Sequence, residues 1–484
     1  MPEPEPPQPI NAYRDPIHVT SPDWDALFTR RANLWQPAAI RGLYPLESKP
    51  GMISLLAGKP NPTTFPFASI QITLSSSSPP ATDDSLSPPP TTLSITSSDL
   101  TESLQYSPTA GLPRLVDFLT SLQSTIHHRT RNQSWAVTIG SGSQDVMTKA
   151  FECLCQKGDV VLLETPVYSG TLGMLRPLEL DLREISCDPS GLSPTSLLTT
   201  LESLSHLPKS QRPKILYTIP TGSNPTGLSA PTSRKIEILK IVYENDLVLL
   251  EDDAYWFLYF GDGDDEGGAE ERKSYWRLEE EMYPEVVNNG GGRVVRFDSF
   301  SKILSSGMRL GLITSPLPLL QKINLQTSNT NLQPSSLSQS IAQSLLLHWG
   351  QPGLLSHIKS VQEFYRSKRD EIESVAEEEL KGVATWEKPK AGMFIWLKLL
   401  IGDGDGDGGE GGEGDSNELI RTKAVEKGFL AVPGVAFYPK TEKSPYVRIS
   451  FSEIDREKAK VAFGRLREVV EEFREEKRMT RCKN

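Results

Sequence analysis

The sequence predicts an α/β protein, with a large domain built on a mostly parallel sheet between helical layers (α/β/α) and a smaller α+β domain after it. Three observations lead there. Short continuous apolar runs such as DVVLLE (159–164), KILYTIP (214–220) and LVLLED (247–252) read as strands buried on both faces. They alternate with stretches of helical periodicity, an order that favours parallel strands joined by helical crossovers. From about residue 350 the texture changes to long charged helices with short strands between them.

Taken in order, residues 75–98 (SSSSPPATDDSLSPPPTTLSITSS) are rich in Ser, Pro and Thr and read as a disordered surface excursion. AVTIG (136–140) is a strand, followed by a Gly/Ser turn and the helical stretch SQDVMTKAFECLC. The strands 159–164 and 214–220 precede a helix over 231–245 and the strand 247–252. RVVRFDSF (293–300) and MRLGLITS (308–315) read as two further strands. Residues 261–274 and 402–416 are Gly/Asp/Glu-rich and read as solvated loops. In the second, Asp403, Asp405, Asp407 and Gly408 mimic the start of a calcium loop, but Gly414 stands where a bidentate Glu is needed. The long helices are IKSVQEFYRSKRDEIESVAEEEL and VAFGRLREVVEEFREEKR, with the strands GMFIWLKL and YVRISFS among them.

Composition narrows the chemistry. The chain has 484 residues and a net charge of -11, from 51 Lys+Arg against 62 Asp+Glu. Nucleic acid and anionic membrane surfaces both need clustered positive charge, so neither is an expected partner. No apolar run approaches the ~18 residues of a membrane span. The opening MPEPEPPQPI has neither the basic nor the apolar region of a secretory signal, so a cytoplasmic protein is expected. Cys153 and Cys155 form a lone CxC, and the six histidines show no ligand spacing, so no metal is expected.

The chemistry-bearing segment is DSFSKILSSGMRLGLI (298–313). A lone lysine is ordinarily a solvated surface group. Lys302, however, stands at a strand end with Ser299, Ser301 and Arg309, two hydroxyls and a fixed cation suited to a phosphate dianion. A lysine beside a phosphate anchor points to pyridoxal 5'-phosphate, whose aldehyde is held as a Schiff base. Its ring nitrogen needs an acid. LLEDDAYWF (249–257) offers Asp252 at a strand's carboxyl end, with Tyr255 spaced to reach the ring's phenolic oxygen. IPTGSNPTG (219–227) adds Asn224, TIGSGSQD adds Ser143 and Gln144 at a helix start, and ETPVYSG (164–170) adds Tyr168, an aromatic able to lie on a ring face.

Together with SLLAGKPNPTTFPF (54–67), QYSPTAGLPRL (105–115) and PYVRISFS, these motifs resemble the fold-type I, pyridoxal-phosphate-dependent aminotransferases of class I/II. Within that class the chain resembles the fungal aromatic and the 2-aminoadipate/kynurenine aminotransferases, over roughly residues 30–475. The resemblance implies that Lys302 carries the cofactor and shuttles the reacting proton. It implies that Asp252 pairs with the ring nitrogen, that Asn224 and Tyr255 bind the ring oxygen and that Tyr168 stacks on the ring. Ser143, Gln144, Ser299, Ser301 and Arg309 would hold the phosphate, joined by Tyr106 from a second subunit, which implies a homodimer with shared sites. Arg448 would clamp the substrate α-carboxylate with Asn224 beside it, and Arg41 and Gly58 would close over substrate.

Four segments follow from it: an N-terminal arm with a Pro-rich tail (1–50), a lid-forming segment with the polar insertion (51–100), the large cofactor-binding domain (101–345) and the small domain (346–484). Lys59 departs from the apolar residue more usual in AGKPNP, and Ala254 from a common Pro. The expected reaction is ping-pong transfer of the amino group of Phe, Tyr or Trp to 2-oxoglutarate or a related 2-oxo acid. The alternative donors are 2-aminoadipate and kynurenine. More distant are a β-lyase and a non-catalytic regulator, the latter disfavoured because the residues ahead of the match are Pro-rich and acidic.

Overall fold

Val160–Thr165, Ile215–Thr218 and Gly311–Pro316 are buried at every position, which only a sheet covered on both faces provides. The computed structural model describes residues 21–481 except 48, 57, 76–90, 262–270, 403–413 and 441–442. In chain order the strands are β1 (Ile70–Thr73), β2 (Thr92–Ile95), β3 (Trp135–Gly140), β4 (Val160–Thr165), β5 (Asp181–Asp188), β6 (Gly191–Leu192) and β7 (Ile215–Thr218). They continue as β8 (Val248–Asp252), β9 (Val294–Ser299), β10 (Gly311–Pro316), β11 (Ala384–Thr385), β12 (Phe394–Leu399), β13 (Val432–Pro433) and β14 (Tyr446–Ser450).

The large sheet has eight strands in the order β3-β10-β9-β8-β7-β4-β5-β6. β9, β8, β7, β4 and β5 run parallel. β10 is antiparallel to both β3 and β9, and β6 turns back on β5. The pleat sends Leu162, Leu216 and Leu249 to one core and Val161, Leu163, Tyr217 and Leu250 to the other. After β4 the chain lays β5 on one side and β7 on the other, so a topological switch lies between β4 and β7.

The four-stranded antiparallel sheet β11-β12-β14-β13 packs under Ile372, Val375, Phe463, Leu466 and Val469. The helix Ser336–Glu379 runs from one core into the other, with Ala342 and Leu346 in the first and Ile372 and Val375 in the second. It kinks at Gly350, two residues before Pro352.

Three readings of the sequence are corrected. The polar stretch 75–98 is not all excursion: β2 pairs with β1, Ile95 is buried, and a helix starts at Ser97, while 76–90 lie outside the described residues. Alternation in a four-residue edge strand is too short to stand out against so much Ser and Pro. The strand expected from 308 begins at Gly311, because Ser306–Met308 is a 3-10 turn and Arg309 is left-handed (φ 51°). The loop 261–274 ends anchored, with the Arg272 guanidinium 3.7 Å from the Trp256 ring centroid and 4.6 Å from that of Tyr259. The Asp403, Asp405, Asp407 and Gly408 run lies outside the described residues. Among the described residues no helix is long and apolar enough to cross a membrane.

Candidate active site

Five parallel or flanking strands deliver chemistry at one edge of the sheet: Tyr168 follows β4, Asn224 follows β7, Asp252 ends β8, Lys302 follows β9 and Ser143 follows β3. Carboxyl ends of strands beside a switch point are where open α/β sheets bind ligands.

The lysine sits on a short 3-10 turn, Phe300–Lys302, capped by Ser299, whose Oγ accepts from the Ser301 N–H at 3.2 Å. Arg309 ties this turn to the next: its Nη1 donates to Ser306 O at 3.2 Å and lies 3.5 Å from Ser301 Oγ, and its Nη2 donates to Ser141 O at 3.4 Å. A non-glycine left-handed residue is uncommon, and here the side chain's contacts hold it. The helix Ser143–Leu154 starts beside it at Gly142, with φ 91°. A Cβ on Gly142 would stand 2.3 Å from Arg309 Nη2, so only glycine lets the guanidinium close on the helix start. Helix-start N–H groups, hydroxyls and a guanidinium converge: a dianion cradle. Gln144 is exposed and donates to Gly170 O at 3.3 Å, joining the cradle to the Tyr168 segment.

Lys302 Nζ lies 5.8 Å from the Tyr255 ring centroid. Burial, helped by Arg309 and Arg448, lowers its pKa, with Asp252 opposing. That favours the neutral amine, the nucleophilic form. Asp252 is buried; burial pushes its pKa up to about 6, opposed by the hydrogen bond from Tyr217. Its Oδ2 accepts from Tyr217 O–H at 2.6 Å, while its buried Oδ1 has no partner. Burial followed by Asp252 raises the pKa of half-buried Tyr168, with Arg448 and Arg309 opposing, which places that ring among all three.

Arg448, on β14, reaches across to the large sheet: its Nη1 donates to Asn224 Oδ1 at 2.9 Å. Its guanidinium carbon is 4.2 Å from the Phe394 ring centroid and 5.1 Å from that of Phe437. Behind the Asn224 turn, buried Glu164 accepts from the hydroxyls of Thr218 and Ser223 and from Ile219 N–H.

Among the described residues, Arg41, Gly58 and Tyr106 make no side-chain hydrogen bond to this cluster. Arg41 donates to Ser107 O, Thr109 Oγ1, Leu332 O and Gln333 Oε1. Gly58 is exposed, as is Tyr106, and Lys59 pairs with Glu47 at 2.9 Å. Tyr217, Glu164, Phe394 and Phe437 were not among the residues singled out in the sequence. Tyr217 and Phe394 lie inside runs that read simply as strands. A cleft of about 480 Å³ between the two sheets is lined by Thr226, Trp386, Trp396 and Tyr446, and the cluster around Lys302 does not line it.

The profile of the family described as aminotransferase class I and II matches residues 69–466. This chain belongs to that family. Among relatives of this class I/II aminotransferase, aminotransferase tdiD of Emericella nidulans is 44% identical over 91% of this chain and 93% of its own length. The mitochondrial kynurenine/alpha-aminoadipate aminotransferase of Bos taurus is 35% identical over 90% of this chain and 96% of its own. The crystal structure of aminotransferase Aro8 from Candida albicans superposes with a TM-score of 0.78 at 25% identity, covering 94% of this chain and 99% of that one. The fold is thus fold-type I, and the protein is an aminotransferase.

The class depends on pyridoxal phosphate, and the residues present fit that group. A cationic ring N–H would answer the unpartnered buried Oδ1 of Asp252. The Gly142–Arg309 approach, which a side chain at 142 would block, would suit its phosphate.

Proposed function

We propose that this aminotransferase moves the amino group of an aromatic amino acid to 2-oxoglutarate, using pyridoxal phosphate held by the cluster around Lys302. The observation that carries the reading is the lone buried oxygen of Asp252, close enough to interact with a lysine whose pKa is lowered. Bound pyridoxal phosphate supplies an electron sink for the pair left at the substrate Cα. Lys302, as the free amine, would be the base that takes the proton from the substrate Cα and the acid that gives it back. Asp252 would keep the ring nitrogen protonated, Tyr168 would hold the ring, and Asn224 and Tyr255 would bind its oxygen. Ser143, Gln144, Ser299, Ser301 and Arg309 hold the phosphate. Arg448 grips the α-carboxylate shared by amino and oxo acids, which lets one site serve both half-reactions.

A homodimer belongs to this reading, with Tyr106 of each chain completing the other's phosphate site. Supporting it, the N-terminal segment exposes apolar side chains a lone chain would not, Ile53 at 88% and Leu55 at 98%. The second reading, 2-aminoadipate or kynurenine as donor, rests on the similarity to the bovine enzyme named for both.

The test is a donor panel of Phe, Tyr, Trp, kynurenine and 2-aminoadipate with 2-oxoglutarate, scored by glutamate formed, with Lys302→Ala as control. Glutamate from the aromatic donors and none from the variant is expected. Fastest turnover of 2-aminoadipate overturns the donor assignment, and an active Lys302→Ala overturns the site.

A further inference from the structure

Tyr217 lies in β7, fully buried, with its hydroxyl 2.6 Å from Asp252 Oδ2 and 2.9 Å from Thr171 Oγ1. An ionised carboxylate only accepts hydrogen bonds. Tyr217 must therefore donate to Asp252, which leaves its oxygen lone pairs to accept from the Thr171 hydroxyl. Thr171 is fully buried too, on the helix Ser169–Leu175 that begins directly after Tyr168.

We propose that Thr171 and Tyr217 form a two-hydroxyl relay that positions Asp252, saturating one carboxylate oxygen and leaving the other for a cationic ring nitrogen. This rests on the pyridoxal phosphate reading of the site. Tyr217 and Thr171 touch neither substrate nor reacting atoms; they are positioning residues.

The surroundings make such a relay necessary. Asp253, just past β8, and Asp298, on β9, repel a charge on Asp252, and Arg296, also on β9, attracts it. The guanidinium of Arg296 is already committed, to Asp253 at 2.8 Å, Asp298 at 2.7 Å and Glu251 at 3.3 Å. Tyr168 and Tyr255 face Asp252 as neutral phenols, and Lys302 is the cation on the pocket side. Among the described residues, Tyr217 makes the one hydrogen bond to the Asp252 side chain. A charge-assisted O–H bond to a buried carboxylate favours its ionised form. Because the Thr171 N–H donates to Tyr168 O at 2.9 Å, the relay also couples the acid's orientation to the placement of the Tyr168 ring.

A merely structural tyrosine predicts lost stability on Tyr217→Phe and nothing else. The relay predicts a shift in the titration of Asp252. The experiment is ¹³C NMR of Asp carboxyls in the full chain freed of cofactor, with Asp252→Asn to assign the resonance. In Tyr217→Phe the Asp252 midpoint should rise by about one pH unit or more. Thr171→Val, which keeps the β-branched shape, should raise it in the same direction by less. In the loaded enzyme the acid limb of the kcat profile should move up with it. An unmoved midpoint in folded Tyr217→Phe overturns the relay, and if that variant fails to fold, an unmoved midpoint in Thr171→Val does so. Failure of the wild type to bind pyridoxal phosphate overturns the reading of the site instead, while the Asp252 titration still decides the relay.

Discussion

Asp252→Asn should stabilise the cofactor-free protein while crippling its chemistry. The carboxylate is buried, with its pKa raised from the ordinary 3.8 to about 6, first by burial and then by Asp253 and Asp298. Between those two values the folded state binds more protons than the unfolded state, so stability falls as pH rises through that window. The deficit is absent below the unfolded pKa and complete above about 6. Two pH units correspond to about 3 kcal/mol. Asparagine keeps the shape and the bond from Tyr217 but cannot ionise. Its amide takes the place of an oxygen that has no partner, an offset of about 1 kcal/mol. The net gain at pH 7.5 should be about 2 kcal/mol, turning into a net loss of about 1 kcal/mol near pH 4, where the deficit is gone and the offset remains. Urea unfolding of both cofactor-free proteins at half-unit steps of pH reads it directly. In the loaded enzyme the same change should, on the proposed reading, remove the charge that holds the ring nitrogen protonated and slow Cα proton abstraction severely in single turnover. A variant less stable than wild type at pH 7.5, or a gain independent of pH, would refute the argument that the active site holds Asp252 ionised against its surroundings.

Arg448→Lys should keep cofactor affinity and spectrum, while kcat/KM falls on the order of a hundredfold for every amino and oxo acid, since lysine cannot form the paired contact; a defect confined to one donor would mean that Arg448 reads the side chain. Gly142→Ala puts a Cβ 2.3 Å from Arg309 Nη2 at a φ of 91°, so the dissociation constant for pyridoxal phosphate, read by titration, should rise about tenfold or more. Glu279→Ala removes the acceptor of Tyr243 O–H and Val294 N–H and leaves Arg129 buried without its 3.0 Å partner, which should cost about 3–5 kcal/mol in urea unfolding with activity per folded molecule preserved.

What could be read from the chain divides along a physical line. Lys302, Asp252, Asn224 and Tyr168 each follow or end a strand whose apolar run is visible, so their arrival at one sheet edge follows from strand direction alone. Tyr217 shows what does not. In the parallel register it sits opposite Leu250, and Asp252 lies two residues further along β8 on the same face. Alternation supplies the face of each residue, but nothing local says that β7 and β8 are neighbours, and without that the hydroxyl has no carboxylate to meet. The antiparallel β10 and the left-handed Arg309 have the same origin: each is held by partners distant in sequence, Ser141 above all, and not by propensity at 308–315. Arg41 is a further instance. Its acceptors at 107–109 and 332–333 are invisible from its own segment, and they bind it to the stretch bearing Tyr106. Side chains that act on a ligand announce themselves by type at a strand end. Those that act through another side chain carry no such mark, which is why the orientation of Asp252 had to be found in β7.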